Sequence, residues 1–230
     1  MSDAQADTQV TPRVLVFFDY ACQFCYLDWP RFKRLRAEHG AELFLIPYEL
    51  RPTMPAEGVS IDQLGGHHSE HIEEHMKLMA AEGGLDLVFP DFVPNTHFAL
   101  ALGEYARALG PEAHEAMHEA IFAAYSGRGE DIGREEVLLR IAEEHALDPD
   151  DVSLAFVEGR FDDRLHQFTH LALAFGVTAT PAALICNELL IGTRPYRVLE
   201  ESLQRCLVTE TNIAEQLASS LEGGPATIDR

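Results

Sequence analysis

Apolar positions fall into two alternating rhythms along this chain. An uninterrupted run, Val14-Leu15-Val16-Phe17-Phe18, reads as a buried strand over residues 13–19. Residues 22–39 then read as a helix with Leu27, Phe32 and Leu35 on its apolar side and Gly40 as its stop, while Pro30 inside it should bend it. Residues 41–50 (AELFLIPYEL) form a second strand, so the chain opens as a parallel strand–helix–strand unit. Arg51 to Leu64 is loop, rich in Pro and Gly, and helical periodicity then dominates residues 65–175. Helices are expected near 66–82, 95–109, 111–125, 134–145, 148–157 and 160–175. Asn95 and Asp148 serve as N-caps, and Gly83, Gly110 and Gly176 as stops. After Thr180-Pro181 come an apolar strand (Ala182 to Cys186), a turn at Asn187-Glu188, a short strand (Leu189 to Gly192) and an amphipathic helix over 196–208. No internal repeat is visible.

The pattern divides the chain into a polar N-terminal extension (1–12), an α/β domain in two pieces (13–64 and 176–208), a helical insertion (65–175) and a polar C-terminal tail (209–230). Charge narrows the function. With 38 acidic against 17 basic residues the net charge is −21, and Arg31, Lys33, Arg34 and Arg36 form the one basic cluster. That argues against nucleic acid or an anionic membrane as partner, since both need a basic footprint. The acidity serves solubility and implies nothing about oligomeric state. No apolar run approaches the roughly 18 residues that cross a bilayer, and the polar start lacks a signal-peptide core, so a cytoplasmic protein is expected.

Four cysteines, at 22, 25, 186 and 206, are too few for a secreted disulfide framework. Two of them form Cys22-Gln23-Phe24-Cys25 where the first strand gives way to the helix. A sulfur there meets the N-terminal N–H groups and dipole of a helix, which favour a thiolate. Phe24 brings no charge, so a lowered Cys22 pKa must come mainly from the helix terminus. By spacing alone the motif is also half a zinc site. Asp19 can cap the helix or accept the proton of Cys25, and Tyr26 and Trp29 are expected to pack around the dithiol.

Three stretches together give the chain a family likeness: Phe18-Asp19-Tyr20-Ala21-Cys22-Gln23-Phe24-Cys25-Tyr26, Pro94-Asn95-Thr96, and Gly176-Val177-Thr178-Ala179-Thr180-Pro181. Over about residues 13–208 the chain resembles the DsbA-like thioredoxin-fold family. Within it, the likeness is to the FrnE-type branch related to 2-hydroxychromene-2-carboxylate isomerases and kappa glutathione transferases. The resemblance implies an α/β thioredoxin fold with an all-helical domain inserted between its βαβ and ββα halves. It implies a thiol–disulfide oxidoreductase, of oxidase or isomerase type, with Cys22 as nucleophile and Cys25 as resolving thiol. It further implies a cis Pro181 facing the cysteines, so that Thr180, Pro181 and Phe24 meet the substrate; X-Pro is the bond for which cis is cheap. An ordinary trans proline opening a strand is the alternative. Asn95 matches a family position, first as a helix cap and second as a site residue. No organic cofactor or metal is required, and the partners are protein disulfides and dithiols or glutathione.

Competing readings stay open. His67, His71 and His75 share a spacing that can hold zinc on one helix face, although interleaved Glu70, Glu73 and Glu74 suit a solvated face as well. Kappa-type relatives use glutathione for isomerisation or transfer, usually with Ser at the position of Cys22 and no partner at Cys25. A metal-binding or holdase module on the same scaffold is the third possibility. Cys186 reads as a small buried residue in its strand, and both it and Cys206 are expected to be unreactive.

Overall fold

The computed structural model describes residues 11–208, with side chains described through residue 205. The expected extension and tail therefore lie almost wholly outside the described residues. Strand β1 (Arg13–Phe18) leads into helix α1 (Gln23–His39), which ends at Gly40 in the left-handed conformation. Strand β2 (Glu42–Pro47) then pairs parallel with β1, Val14 opposite Leu43 and Phe17 opposite Ile46. Pro47 has no N–H to continue the ladder. The chain leaves the sheet there, with Tyr48 N–H donating to the Phe18 carbonyl at 2.8 Å. The strand is accordingly shorter than its apolar pattern suggests.

The second half of the sheet arrives from far along the chain. Strands β5 (Ala182–Ile185) and β6 (Glu188–Ile191) form a hairpin, and β5 pairs antiparallel with β1. The sheet order is β2-β1-β5-β6. The hairpin turn is Cys186-Asn187, one residue earlier than expected, with Cys186 at φ 56°. Helix α8 (Tyr196–Val208) closes the unit. This is the thioredoxin layout expected from the sequence.

Between the halves run β3 (Val59–Ser60), α2 (Glu70–Gly83), β4 (Phe92–Val93), α3 (His97–Leu109), α4 (Pro111–Phe122), α5 (Glu135–Glu144), α6 (Pro149–Val157) and α7 (Asp162–Ala174). A single π-helical turn, Ala123–Gly127, extends α4. The predicted loop at 51–64 hides a small surprise: β3 pairs antiparallel with β4. Two-residue strands carry no readable alternation, which is why the pattern misses them. Gly65 and Gly66, both at positive φ, hold the start of α2 back to Glu70.

Both faces of the sheet are covered, which explains why β1 is apolar at every position from Val14 to Phe18 rather than at alternate ones. Val14, Val16, Phe18, Leu45 and Ile185 face α1, α8 and the insertion. Leu15, Phe17, Ile46 and Leu184 face Phe168 and Ala172 of α7. The insertion meets this frame closely. A Cβ on Gly103 of α3 would lie 2.8 Å from the Tyr20 hydroxyl, so only glycine allows α3 that near.

Candidate active site

The turn from β1 into α1 builds the site. Cys22 is the N-cap of α1, its N–H bonded to the Asp19 carbonyl (3.0 Å) and its own carbonyl accepting from Cys25 N–H (2.9 Å). Cys22 is half-buried and Cys25 is 5% exposed; both are free thiols. Opposite them the Thr180-Pro181 bond is cis, and Cys22 Sγ donates to the Thr180 carbonyl at 3.3 Å across 158 residues of chain. The Thr180 hydroxyl is buried with no partner in ordinary hydrogen-bond geometry, yet stands close enough to Cys22 to favour a thiolate there.

The two sulfurs are driven apart in acidity. The Cys22 thiol is lowered, first by the hydrogen bond from the Cys25 thiol, against burial, with Thr180 and the Cys25 backbone as smaller contributions. Burial, and then the hydrogen bond to Cys22, push the Cys25 thiol well up. This corrects the expectation that the helix terminus would do most of the lowering: the neighbouring sulfur comes first, and the first-turn backbone is secondary.

Asp19 does not cap α1. Its Oδ1 accepts from Ala21 N–H (2.9 Å) and its Oδ2 from Leu50 N–H (2.7 Å), and no side chain caps the helix. The carboxylate sits three residues upstream in a tight turn and reaches across to the chain leaving β2 instead of forward to α1. It is buried, which raises its pKa against those hydrogen bonds and one from the Thr96 side chain. Asn95 does act at a helix end: its Oδ1 accepts from His97 N–H (2.9 Å) while its Nδ2 holds the Met54 carbonyl (2.8 Å). It thereby sets Thr96 against Asp19, but no contact ties Asn95 itself to the cysteines.

The insertion supplies the rim. Gln23 Nε2 donates to the Val88 carbonyl (2.6 Å) and the Tyr26 hydroxyl to the Asp86 carbonyl (3.0 Å), pinning the 86–88 segment beside the motif. The Phe24 ring lies edge-on to His68, 5.8 Å between centroids. Trp29 lies in the same apolar cluster as Cys25 and donates from its ring nitrogen to Glu119 (2.8 Å). Thr96 stands in a stretch that carries the family likeness but is given no role there, and His68 and Val88 are not site candidates by sequence, because only tertiary packing brings them here.

Two further expectations change. His67 precedes α2 and pairs with Asp91 (3.0 Å), so His67, His71 and His75 do not share a helix face. Among the described residues, the group whose ligand atoms gather within 4.8 Å is Glu38, His39 and Glu200, away from those histidines. Cys186 is disulfide-bonded rather than a free buried thiol; α8 packs on β5, next to which Cys186 lies. The Cys206 side chain lies outside the described residues. No helix among the described residues is long and apolar enough to cross a membrane.

A thioredoxin sheet, a CxxC at the head of its first helix and a cis proline opposite define a class of fold and site. Residues 13–204 match the DSBA-like thioredoxin domain family, and the chain belongs to that family. It is similar to the uncharacterized protein YwbO of Bacillus subtilis, 23% identical over 196 residues that cover 84% of this chain and 96% of YwbO. Among solved structures it resembles the probable DsbA oxidoreductase SCO1869 of Streptomyces coelicolor, with 21% identity and TM-score 0.79 over 88% of this chain and 92% of that one. It also resembles 2-hydroxychromene-2-carboxylate isomerase (20%, TM-score 0.68, covering 84% and 95%). The cytosolic disulfide reductase DsbM of Pseudomonas aeruginosa, solved also with GSH, is similar too (17%, TM-score 0.58, covering 84% and 99%).

Proposed function

We propose that this chain is a thiol–disulfide oxidoreductase that exchanges disulfides with protein or small-thiol substrates through Cys22 and Cys25. The observation that carries the reading is the asymmetry of the pair: an accessible, acidified Cys22 beside a buried Cys25 of raised pKa, with the Thr180 carbonyl opposite. A thiolate is the attacking species in disulfide exchange, and only one of the two sulfurs here is arranged to be one.

In the reducing direction, the Cys22 thiolate attacks one sulfur of a substrate disulfide. That S–S bond breaks, one substrate sulfur leaves as a thiolate, and the other stays on Cys22 as a mixed disulfide. Cys25 then gives its proton to the Asp19 carboxylate, whose raised pKa suits an acceptor, and attacks the Cys22 sulfur. The mixed disulfide breaks and the second substrate sulfur leaves. Two electrons have passed to the substrate and the enzyme holds a Cys22–Cys25 disulfide; the substrate leaves as two thiolates, one taking the Cys25 proton back from Asp19 and the other a proton from water. Oxidation of a substrate dithiol is the same path reversed.

Thr180 and Pro181 would receive an extended substrate segment beside Cys22, the backbone of Thr180 pairing with it in the manner of strand addition. Phe24 supplies an apolar contact. Glutathione is the small-thiol partner we favour, a reading supported by the GSH-bound structure of the similar DsbM. Likeness to that cytosolic reductase also supports placing the exchange in the cytoplasm. A kappa-type isomerase needs one nucleophile at this place, so the second thiol beside it favours exchange.

The test is a glutathione redox titration with alkylation mapping, run on the wild type and two variants. Cys22→Ser should abolish disulfide exchange, and Cys25→Ser should accumulate mixed disulfides at Cys22. Full activity in Cys22→Ser would refute the reading.

A further inference from the structure

Away from the dithiol, a cavity of about 610 Å³ opens between the edge strand β2 and helices α1, α3, α4 and α7. Arg36, on its wall, lies 14 residues beyond Cys22 along α1, roughly 20 Å at 1.5 Å per residue. We propose that this cavity binds a small organic monocarboxylate with an apolar body.

The charge balance inside it is uneven. Glu104 is nearly inaccessible, its side chain 1% exposed, and it faces two guanidinium groups at once. Arg107 Nε donates to both of its oxygens (2.9 and 3.0 Å) and Arg107 also donates to the Leu45 carbonyl. Arg164 Nε lies 2.8 Å from Glu104 Oε2 but outside hydrogen-bond alignment. The other charges are matched: Arg36 holds Glu115 through two bonds (2.5 and 2.8 Å), and Arg13 holds Glu42 (2.9 Å). Three arginines and three glutamates line the cavity, but around Glu104 two guanidinium groups meet one carboxylate, a local excess of one positive charge on Arg164 and Arg107. Burial works most against the charge on Arg164; Glu104 opposes it, and the neighbouring Arg107 adds a smaller unfavourable contribution. A single bound anion would relieve that crowding.

The geometry around the surplus charge suits a carboxylate. Both guanidinium groups sit over the Phe168 ring, 5.7 and 5.3 Å from its centroid, so one ring orients both. Guanidinium groups held in place are matched to bidentate pairing with carboxylate oxygens. His114 lines the same cavity, 6% exposed, and its Nε2 is buried without a hydrogen-bond partner. Burial keeps that imidazole neutral, so the tautomer protonated at Nε2 offers one more donor. The remaining walls are apolar, with Trp29, Ile46 and Phe161 among them. Sites of this size with apolar walls and a few convergent polar groups are typical of small-molecule binding. A single surplus charge and these walls favour an amphipathic monoanion over inorganic phosphate.

Trp29 is the sole tryptophan of the chain and lies on the cavity wall, so binding can be read from its fluorescence. The full chain would be titrated with octanoate, octylammonium and inorganic phosphate, with calorimetry in parallel. Octanoate should bind saturably at one site, and octylammonium and phosphate at least about tenfold more weakly. Arg164→Gln should weaken octanoate about tenfold or more by removing a charged donor. Ala108→Phe, which fills the cavity without touching the charges, should do the same while the Cys22 alkylation rate is unchanged. The proposal is overturned by any of three results: no saturable octanoate signal below about 1 mM, equal binding of octylammonium or phosphate, or wild-type octanoate binding in the variants that fold.

Discussion

Replacing Cys25 by alanine isolates the interaction that acidifies Cys22. The Cys25 thiol is the largest contributor to the lowered Cys22 pKa, and burial works against it. Removing the donor leaves burial to dominate, so the pKa of Cys22 must rise. A hydrogen bond to a charged group is worth about 1.5–3 kcal/mol, and a thiol donor belongs at the lower end. At 1.36 kcal/mol per unit, the rise should be about one pH unit. The assay is the rate of iodoacetamide alkylation of Cys22 against pH, with the thiolate absorbance near 240 nm as a second readout. Cys25→Ser should shift the pKa less, because the serine hydroxyl still donates. A Cys22 pKa in Cys25→Ala equal to or below that of the reduced wild type would refute the reasoning and return the acidity to the helix terminus.

His97 bridges the two parts of the chain, its Nδ1 3.5 Å from Glu49 and its Nε2 3.2 Å from Asp162. Glu49 is the main reason its pKa is raised, so its stabilising contribution is fully present below the unfolded-state value of about 6.5 and lost as pH climbs through the folded value. Urea midpoints should therefore show up to about 1 kcal/mol less stability above that range than at pH 6, as suits a partly exposed pair, and His97→Gln should remove the dependence. Asn95→Ala should cost about 1–2 kcal/mol, since it frees His97 N–H and the Met54 carbonyl together, measured by urea denaturation. Gly103→Ala should cost about 1–3 kcal/mol by pressing on the buried Tyr20; a thermal midpoint equal to wild type would show that Tyr20 yields freely.

Local chemistry made much of this molecule readable. The apolar run of β1, the glycine ending α1 and the cap at Asp148 are each decided within a few residues, and the structure keeps them. Asn95 bonds the His97 N–H from one residue ahead of the cap position, which Thr96 takes. The cysteine pair and its opposing Thr180-Pro181 were legible because the site is concentrated in two short stretches. What escaped depends on distant partners. Asp19 has the right offset for a cap, but the N–H of Leu50, 31 residues away, competes for it and wins. His67 was drawn off its expected helix by two glycines and Asp91. Arg107 and Arg164 look like ordinary helix-surface cations until α3 and α7 converge on one buried glutamate.

The pairing of β1 with β5 also has a meaning in time. Cys22 leaves the ribosome 158 residues before Thr180. At synthesis rates of about 5–20 residues per second, that is a delay of roughly 8 to 32 s. Throughout it the nascent chain carries both cysteines without the strand that later stands against them. Val14 finds Ile185, and Cys22 its carbonyl, only after the whole helical segment has been made. A half-made chain thus carries Cys22 without the wall that positions it, and the candidate site is assembled last although its residues are written first.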